Sequence, residues 1–546
     1  MIAARGRPRR PARPARRGTL LLLAAFAAVP SSPAGAQQGP AHWDPDERVL
    51  IADFGTVTAL ARRSDRLFAA TSEGLLELRD AFRSWEPPLT REDGWPAALV
   101  TAMAWHRPDR TLWIAVADGR LLALDADGRR WTDEIVLGER VSELVSDEGP
   151  EPSLLLRGAE GWRRLDPFSR RVRRATAAEA AAAVERSADL RARRDLLRDA
   201  GFASQRAFIG TGPDGERYEI TDVMPSDDPT KYWVGTAGGG LVLYDTSFRD
   251  ARPVPYGLQG EGAAAIAADG DGVWIAPWLP RLARYGVTRV SDDLEQWRIE
   301  TWRTDARVPD RGIRALVESG DALWSAGERG LHRRDASGRW TPVAAYALLG
   351  DRLLALAWEN DGEEASLWIG GERGLARARP PGPSGSRVLG GVAVAAVHAA
   401  GGVAWAATDR GLLRVVLDSA ATSPRELPLR PAGAVTGAGD TVWAGVDREV
   451  WRRSPAGGWN RVEAIGLLSA PVTALAVRDG VLWAGTSEEL AVWDAGAGLA
   501  RRFTFAGGDL PLAARGERAI FAIVPVARHR AWLALPAGAL RLDIEF

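Results

Sequence analysis

Residues 111–131 read TLWIAVADGRLLALDADGRRW, and residues 322–340 read ALWSAGERGLHRRDASGRW. Each opens on a Leu-Trp-x-Ala run. A short turn of Gly, Asp, Glu and Arg follows, then a Leu-led run, then a polar turn that ends on Trp. Alternation of period two makes the runs strands, and the Gly and Asp clusters make the breaks turns. The same pattern recurs at anchors Phe68, Trp233, Trp274, Trp368, Trp405, Trp443, Trp483 and Trp532, with a degenerate copy at 154–166. Clean spacings between neighbouring anchors run from 37 to 50 residues. Propeller blades repeat at about 40–50 residues.

A further apolar strand precedes each Trp strand, as in VTAMAW (100–105), IRALVE (313–318) and VTALAV (472–477). The unit is therefore four antiparallel strands. A lone sheet of this kind leaves both faces wet, whereas stacking sheets around an axis buries them. Alternation puts each anchor Trp on the same face as the small residue two positions on, as in Trp368 with Gly370 and Trp443 with Gly445. Large beside small is what packing between wedge-shaped blades needs, so these Trp are core residues. The fold class that follows is all-β: a β-propeller, or propellers, of about eleven four-stranded blades with one helical insertion.

Residues 93–131 (DGWPAALVTAMAWHRPDRTLWIAVADGRLLALDADGRRW) and 232–245 (YWVGTAGGGLVLYD) resemble the two-component regulator propeller repeat. The resemblance spans nearly all of the chain beyond residue 36 except the insertion. It implies a propeller array outside the cytoplasm, of the kind that serves as sensor for membrane histidine kinases. No kinase segment follows these repeats, so the expectation is a free-standing propeller, with ligand sensing in a two-component system as one alternative role.

Seven Arg between residues 5 and 17, the apolar run TLLLLAAFAAV (19–29) and Ala34-Gly35-Ala36 read as a signal peptide over 1–36, cleaved after Ala36. The apolar run is about half of the roughly 20 residues a membrane span needs. Cleavage removes seven Arg and no acid, taking 70 basic residues to 63 against 71 acidic ones, a net charge of −8. That balance argues against nucleic acid or an anionic membrane surface as partner. The expected compartment is periplasmic or extracellular. With no Cys there is neither a disulfide nor a lipid-attachment site.

The array is assigned to 37–546. Ile520 to Val526, Ala531 to Leu535 and Ala539 to Phe546 give the last unit only three strands. Arg48 to Phe54 supplies a spare that closes it. Eleven units exceed an ordinary ring of about 4–8 blades, so either two rings of five or six or one large ring is expected. Candidate seams are the insertion and PPGPSGS (380–386). The insertion, about 176–201, reads as a helix with a Thr176/Glu179 capping box, a stop at Gly201, and Val184, Leu190 and Leu197 on one face.

No catalytic constellation stands out. The five His are scattered, and no H-E-x-x-H, G-x-S-x-G or P-loop is present, so no metal or cofactor is expected. Carboxylates are plentiful, which keeps a polysaccharide hydrolase or lyase as an alternative. The leading reading is a non-enzymatic binding or scaffold protein for a protein partner, glycan or peptide. Its candidate residues are Arg329, Arg373, Arg410 and Arg448, on acid–Arg hairpins after the Trp strands. Trp278 and Arg281 follow the anchor Trp274 in a Pro-flanked break of the pattern, and Trp95 lies in a G-W-P loop.

Overall fold

The computed structural model describes residues 47–546, apart from 80–83, 128, 188–190, 192–207, 212–215, 280–285, 302–306, 310–311, 344–348, 351, 361–364, 380–384, 417–425, 428–429 and 456. The signal segment 1–36, Arg281 and Gly201 lie outside the described residues.

Eleven antiparallel sheets follow one another along the chain, most of them four-stranded. They are sheets 1 (57–90), 2 (100–136), 3 (143–174), 4 (208–253), 5 (261–301), 6 (313–343), 7 (353–390), 8 (394–416), 9 (432–461), 10 (474–504) and 11 (522–543). Arg48–Ile51 pairs antiparallel with Gly538–Asp543 and completes sheet 11, as the sequence implied. PPGPSGS is not a seam. Gly385–Gly390 pairs with Gly374–Ala378, so this stretch joins two strands inside sheet 7.

The sheets pack face to face through their anchors. Phe68, Trp113, Trp233, Trp274, Trp324, Trp368, Trp405, Trp443, Trp483 and Trp532 are all buried. A Cβ added at Gly370 would stand 2.8 Å from Val394, the first residue of the next sheet, and one at Gly485 would stand 2.7 Å from Ile520. Only glycine lets neighbouring sheets approach this closely.

The same relation joins sheet 4 to sheet 1, since a Cβ at Gly235 would stand 2.7 Å from Val57. Thr56 also bridges Ala237. Sheet 4 carries an extra leading strand, Phe208–Thr211, and its strands are counted from Glu216–Pro225, the strand that precedes its Trp233 strand. So counted, the first strand of sheet 1 touches those of sheets 2 and 4, and sheet 2 touches sheet 3. From sheet 5 to sheet 11 each first strand touches the next, and that of sheet 11 touches that of sheet 5.

Alternation did not reveal a bulge in the first strand of eight sheets, as between Val57 and Ala59 or Val100 and Ala102. The extra residue increases the local twist and swings its side chain toward the next sheet. Thr101 Oγ1 thus donates to Val141 O. Thr473, just ahead of the first strand of sheet 10, makes a similar link without a bulge, donating from Oγ1 to Ile520 O at 2.7 Å.

The helix spans Ala177–Arg186, with the expected Thr176/Glu179 capping box. It ends at Ser187, short of residue 201, and its buried residues are Ala180 and Ala183. Val184 is half-buried, and Leu190 and Leu197 lie outside the described residues. The helix packs on the first strand of sheet 3, where Arg186 grips Asp147 with Nε at 2.9 Å and a terminal nitrogen at 2.8 Å.

Candidate functional site

The hairpins joining the second and third strands carry the expected charged residues. Arg329, Arg373, Arg410 and Arg448 are exposed, one on each of sheets 6 to 9. Their acidic neighbours are not displayed as a free alternating series. Glu372 is paired with Arg352 at 2.6 Å, Glu328 with Arg314 at 3.6 Å and Asp447 with Arg430 at 3.7 Å, each Arg lying at the start of a first strand. Asp409 accepts from Ala393 N. Arg448 Nε donates to Leu468 O at 2.6 Å, whereas Arg373 and Arg410 enter no ion pair among the described residues. The row therefore presents guanidinium groups more than carboxylates.

Trp95 does not form an exposed contact. It is 4% exposed between sheets 1 and 2, donates from Nε1 to Thr71 O at 3.3 Å, and tilts against Trp131. Its loop folds inward because the indole finds both an apolar slot and a carbonyl there.

Trp278 lies where the loops of four sheets meet. It is half-buried, with its ring centroid 5.6 Å from that of Phe521. It lines a cavity of about 260 Å³ together with Asp53, Glu73, Glu92, Glu261 and Glu517. Arg91 and Arg515 line it too. Glu73 comes from a sheet 1 hairpin, Glu92 from the loop before sheet 2, Glu261 and Trp278 from sheet 5, and Glu517 from the loop before sheet 11. Burial, reinforced by the neighbouring charge of Asp93, raises the pKa of Glu92, against an opposing hydrogen bond from the Leu512 N–H. Asp53 is buried and accepts from Gly55 N at 2.9 Å. Sequence reasoning found Trp278 by its break in the repeat. It missed the carboxylates, which come from three distant stretches of the chain (Asp53 to Glu92, Glu261 and Glu517) and share no local pattern.

Two other cavities are present. One, of about 390 Å³, is lined by the first strands of sheets 1 to 4 and by Arg186. The other, of about 380 Å³, lies between sheets 1, 4 and 5 and is lined by Trp85, Trp233 and Trp297. Tyr256 packs against Trp85 and Trp297 at 4.4 and 4.3 Å between ring centroids. No group of His, Cys, Asp or Glu among the described residues is arranged to hold a metal ion. No described helix is long and apolar enough to cross a membrane.

No family model and no curated protein matches the chain. Solved structures do. PorZ, a bacterial surface component of the type-IX secretion system of Porphyromonas gingivalis, is similar at 11% identity and a TM-score of 0.52, over 91% of this chain and 87% of its own. The extracellular domain of the hybrid two-component system BT4673 of B. thetaiotaomicron has 13% identity and a TM-score of 0.38, covering 89% of this chain and 70% of that one. The extracellular domain of BT3049 from the same organism has 12% identity and a TM-score of 0.32, covering 90% and 82%. At such low identity the likeness to PorZ shows the fold alone: an all-β, propeller-like array of four-stranded sheets seen in a bacterial surface protein.

Proposed function

We propose that this chain is an exported, non-enzymatic binding propeller that engages a glycan, peptide or protein partner on its hairpin face, centred on the Trp278 cavity. The observation that carries the reading is convergence: loops of sheets 1, 2, 5 and 11 meet around one half-buried indole and five carboxylates. Binding sites are commonly concave, with an apolar platform and a few polar groups that fix orientation. Carboxylates outnumber Arg five to two here, which favours ligands rich in hydroxyl or amino groups. Export is supported by the basic start, the apolar run and Ala34-Gly35-Ala36. The contact order of the first strands supports two nested rings, sheets 1 to 4 and sheets 5 to 11, in place of the expected five or six each. The first ring is then inserted between the closing strand Arg48–Ile51 and sheet 5.

A thermal-shift screen against oligosaccharides and basic peptides tests the reading. A ligand at one hundred times its Kd stabilises by roughly 2.7 kcal/mol. Trp278→Ala is expected to abolish the shift. No shift across the panel, or an unchanged shift in the variant, would remove the cavity from the reading.

One observation favours a hydrolase as a second reading: a half-buried carboxyl with a raised pKa, Glu92, in a cavity lined by other carboxylates. A carboxyl whose pKa is raised is better suited than its neighbours to deliver a proton to a leaving oxygen. Release of reducing ends from a polysaccharide, lost in Glu92→Gln, would replace the binding reading by this one.

A further inference from the structure

Three turns between third and fourth strands have one geometry and two kinds of sequence. In sheet 10, Asp494 Oδ1 accepts from Gly496 N and Ala497 N, and Gly498 follows with φ +69°. In sheet 3, Asp166 Oδ1 accepts from Phe168 N and Ser169 N, and Arg170 follows with φ +61°. In sheet 4, Asp245 Oδ1 accepts from Ser247 N and Phe248 N, and Arg249 follows with φ +51°. Sheet 10 fills this turn with Gly-Ala-Gly. Sheets 3 and 4 place a Phe at the tip and an Arg in the left-handed position, where a side chain is strained.

Both choices oppose stability. Phe248 is 80% exposed and Phe168 is 68% exposed. Neither ring lines any of the three cavities described above. Sites that violate local rules while the same turn elsewhere obeys them are where function is to be sought. Turns of this class share one face of a propeller, so both rings project from that face of two sheets consecutive in the chain.

We propose that Phe168 and Phe248 anchor this face to an anionic lipid surface. The rings stand exposed on turn tips outside the three described cavities, so what buries them must yield around them, as a headgroup layer does. Arg171 and Arg249 flank the two rings, are exposed, and enter no ion pair among the described residues. Guanidinium groups beside aromatic rings suit lipid phosphates. Beyond residue 36 the chain carries 63 basic and 71 acidic residues, a net −8 that opposes long-range attraction to such a surface. Contact therefore rests on the rings at short range, and losing them should matter more than adding salt.

Co-sedimentation with vesicles of equal parts phosphatidylglycerol and phosphatidylcholine tests this, with the full chain and its variants prepared identically. The wild type is expected to sediment. Phe168→Ser/Phe248→Ser should weaken partitioning by at least roughly tenfold, given the apolar area withdrawn, with an unchanged melting temperature. Arg171→Ala/Arg249→Ala should weaken it on these vesicles and not on phosphatidylcholine alone. A wild type that stays in the supernatant overturns the proposal, even if the rings prove to hold a protein. So does a double Phe variant that sediments as before, or wild-type binding that is equal on neutral vesicles.

Discussion

Sheets 1 to 4 and sheets 5 to 11 are built from one repeat, yet they treat its turns differently. Where the third strand turns into the fourth, the left-handed residue is Arg129, Arg170 and Arg249 in sheets 2, 3 and 4. In sheets 6 and 10 it is Gly338 and Gly498. Leu294 in sheet 5 is an exception, and its side chain is buried. The later sheets also carry regular Trp anchors, whereas sheet 1 uses Phe68 and sheet 3 a degenerate copy. The helix and the exposed Phe tips belong to the first four sheets alone among the described residues. The later sheets follow the rules of stability closely. The earlier ones depart from them at their ends, where binding groups would be displayed.

The comparison breaks most readily in the anchors. Trp368 is fully buried, and its Nε1 donates to Glu359 Oε2 at 2.8 Å. Trp368→Ala should cost about 3–5 kcal/mol from the cavity alone, and it strips one partner from a buried carboxylate. If the two groups of sheets unfold separately in urea, only the transition of sheets 5 to 11 should move. Gly235→Val should do the converse. Its side chain would collide with Val57, at a cost of about 1–3 kcal/mol. A single transition moved equally by both variants would show that the two groups are one cooperative unit.

The later group carries an imidazole whose pH effect falls between about pH 4 and 6.5. Burial alone pushes the pKa of His398 down to about 4, and its ring occupies the space that a Cβ at Gly437 would need. The unfolded chain takes up a proton near pH 6.5, and the folded chain only near 4. Stability is therefore full above about pH 6.5 and declines as pH falls toward 4, by roughly 3 kcal/mol. Melting curves of wild type and His398→Gln should converge in slope above that window and diverge within it. Parallel curves throughout would mean that the imidazole protonates freely in the fold.

What could be read in advance was local. Period-two alternation and the Trp interval are set within a single repeat, and they located the sheets, the buried anchors and the closing strand Arg48–Ile51. The bulges escaped because a one-residue slip leaves the apolar letters on either side intact. The grouping of sheets depends on which sheet meets Val57, a contact with Gly235 made across most of two hundred residues. Trp95 and Trp278 both lie beside Pro where the repeat pattern breaks, and in sequence they looked alike. They differ because Thr71 O and the slot beneath it draw one indole inward, while loops of four sheets leave the other at the edge of a cavity.

The smallest effect is the sharpest test of whether the turns in sheets 3 and 4 are costly. Gly498 has open space around its missing Cβ, so Gly498→Arg should suffer only from the left-handed backbone, by about 1 kcal/mol. Arg249 makes no ion pair among the described residues, so Arg249→Gly should relieve the same strain. Part of that gain is lost because glycine leaves the unfolded chain freer. The net expectation is a rise of at most about 0.5 kcal/mol. Arg170 is a poorer test, because its guanidinium pairs with Asp133 and lies 5.5 Å from the Trp113 ring centroid. If Gly498→Arg melts like the wild type, arginine is tolerated in this turn without strain. Arg170 and Arg249 then say nothing about display, and only the exposed rings of Phe168 and Phe248 separate the early turns from the late one.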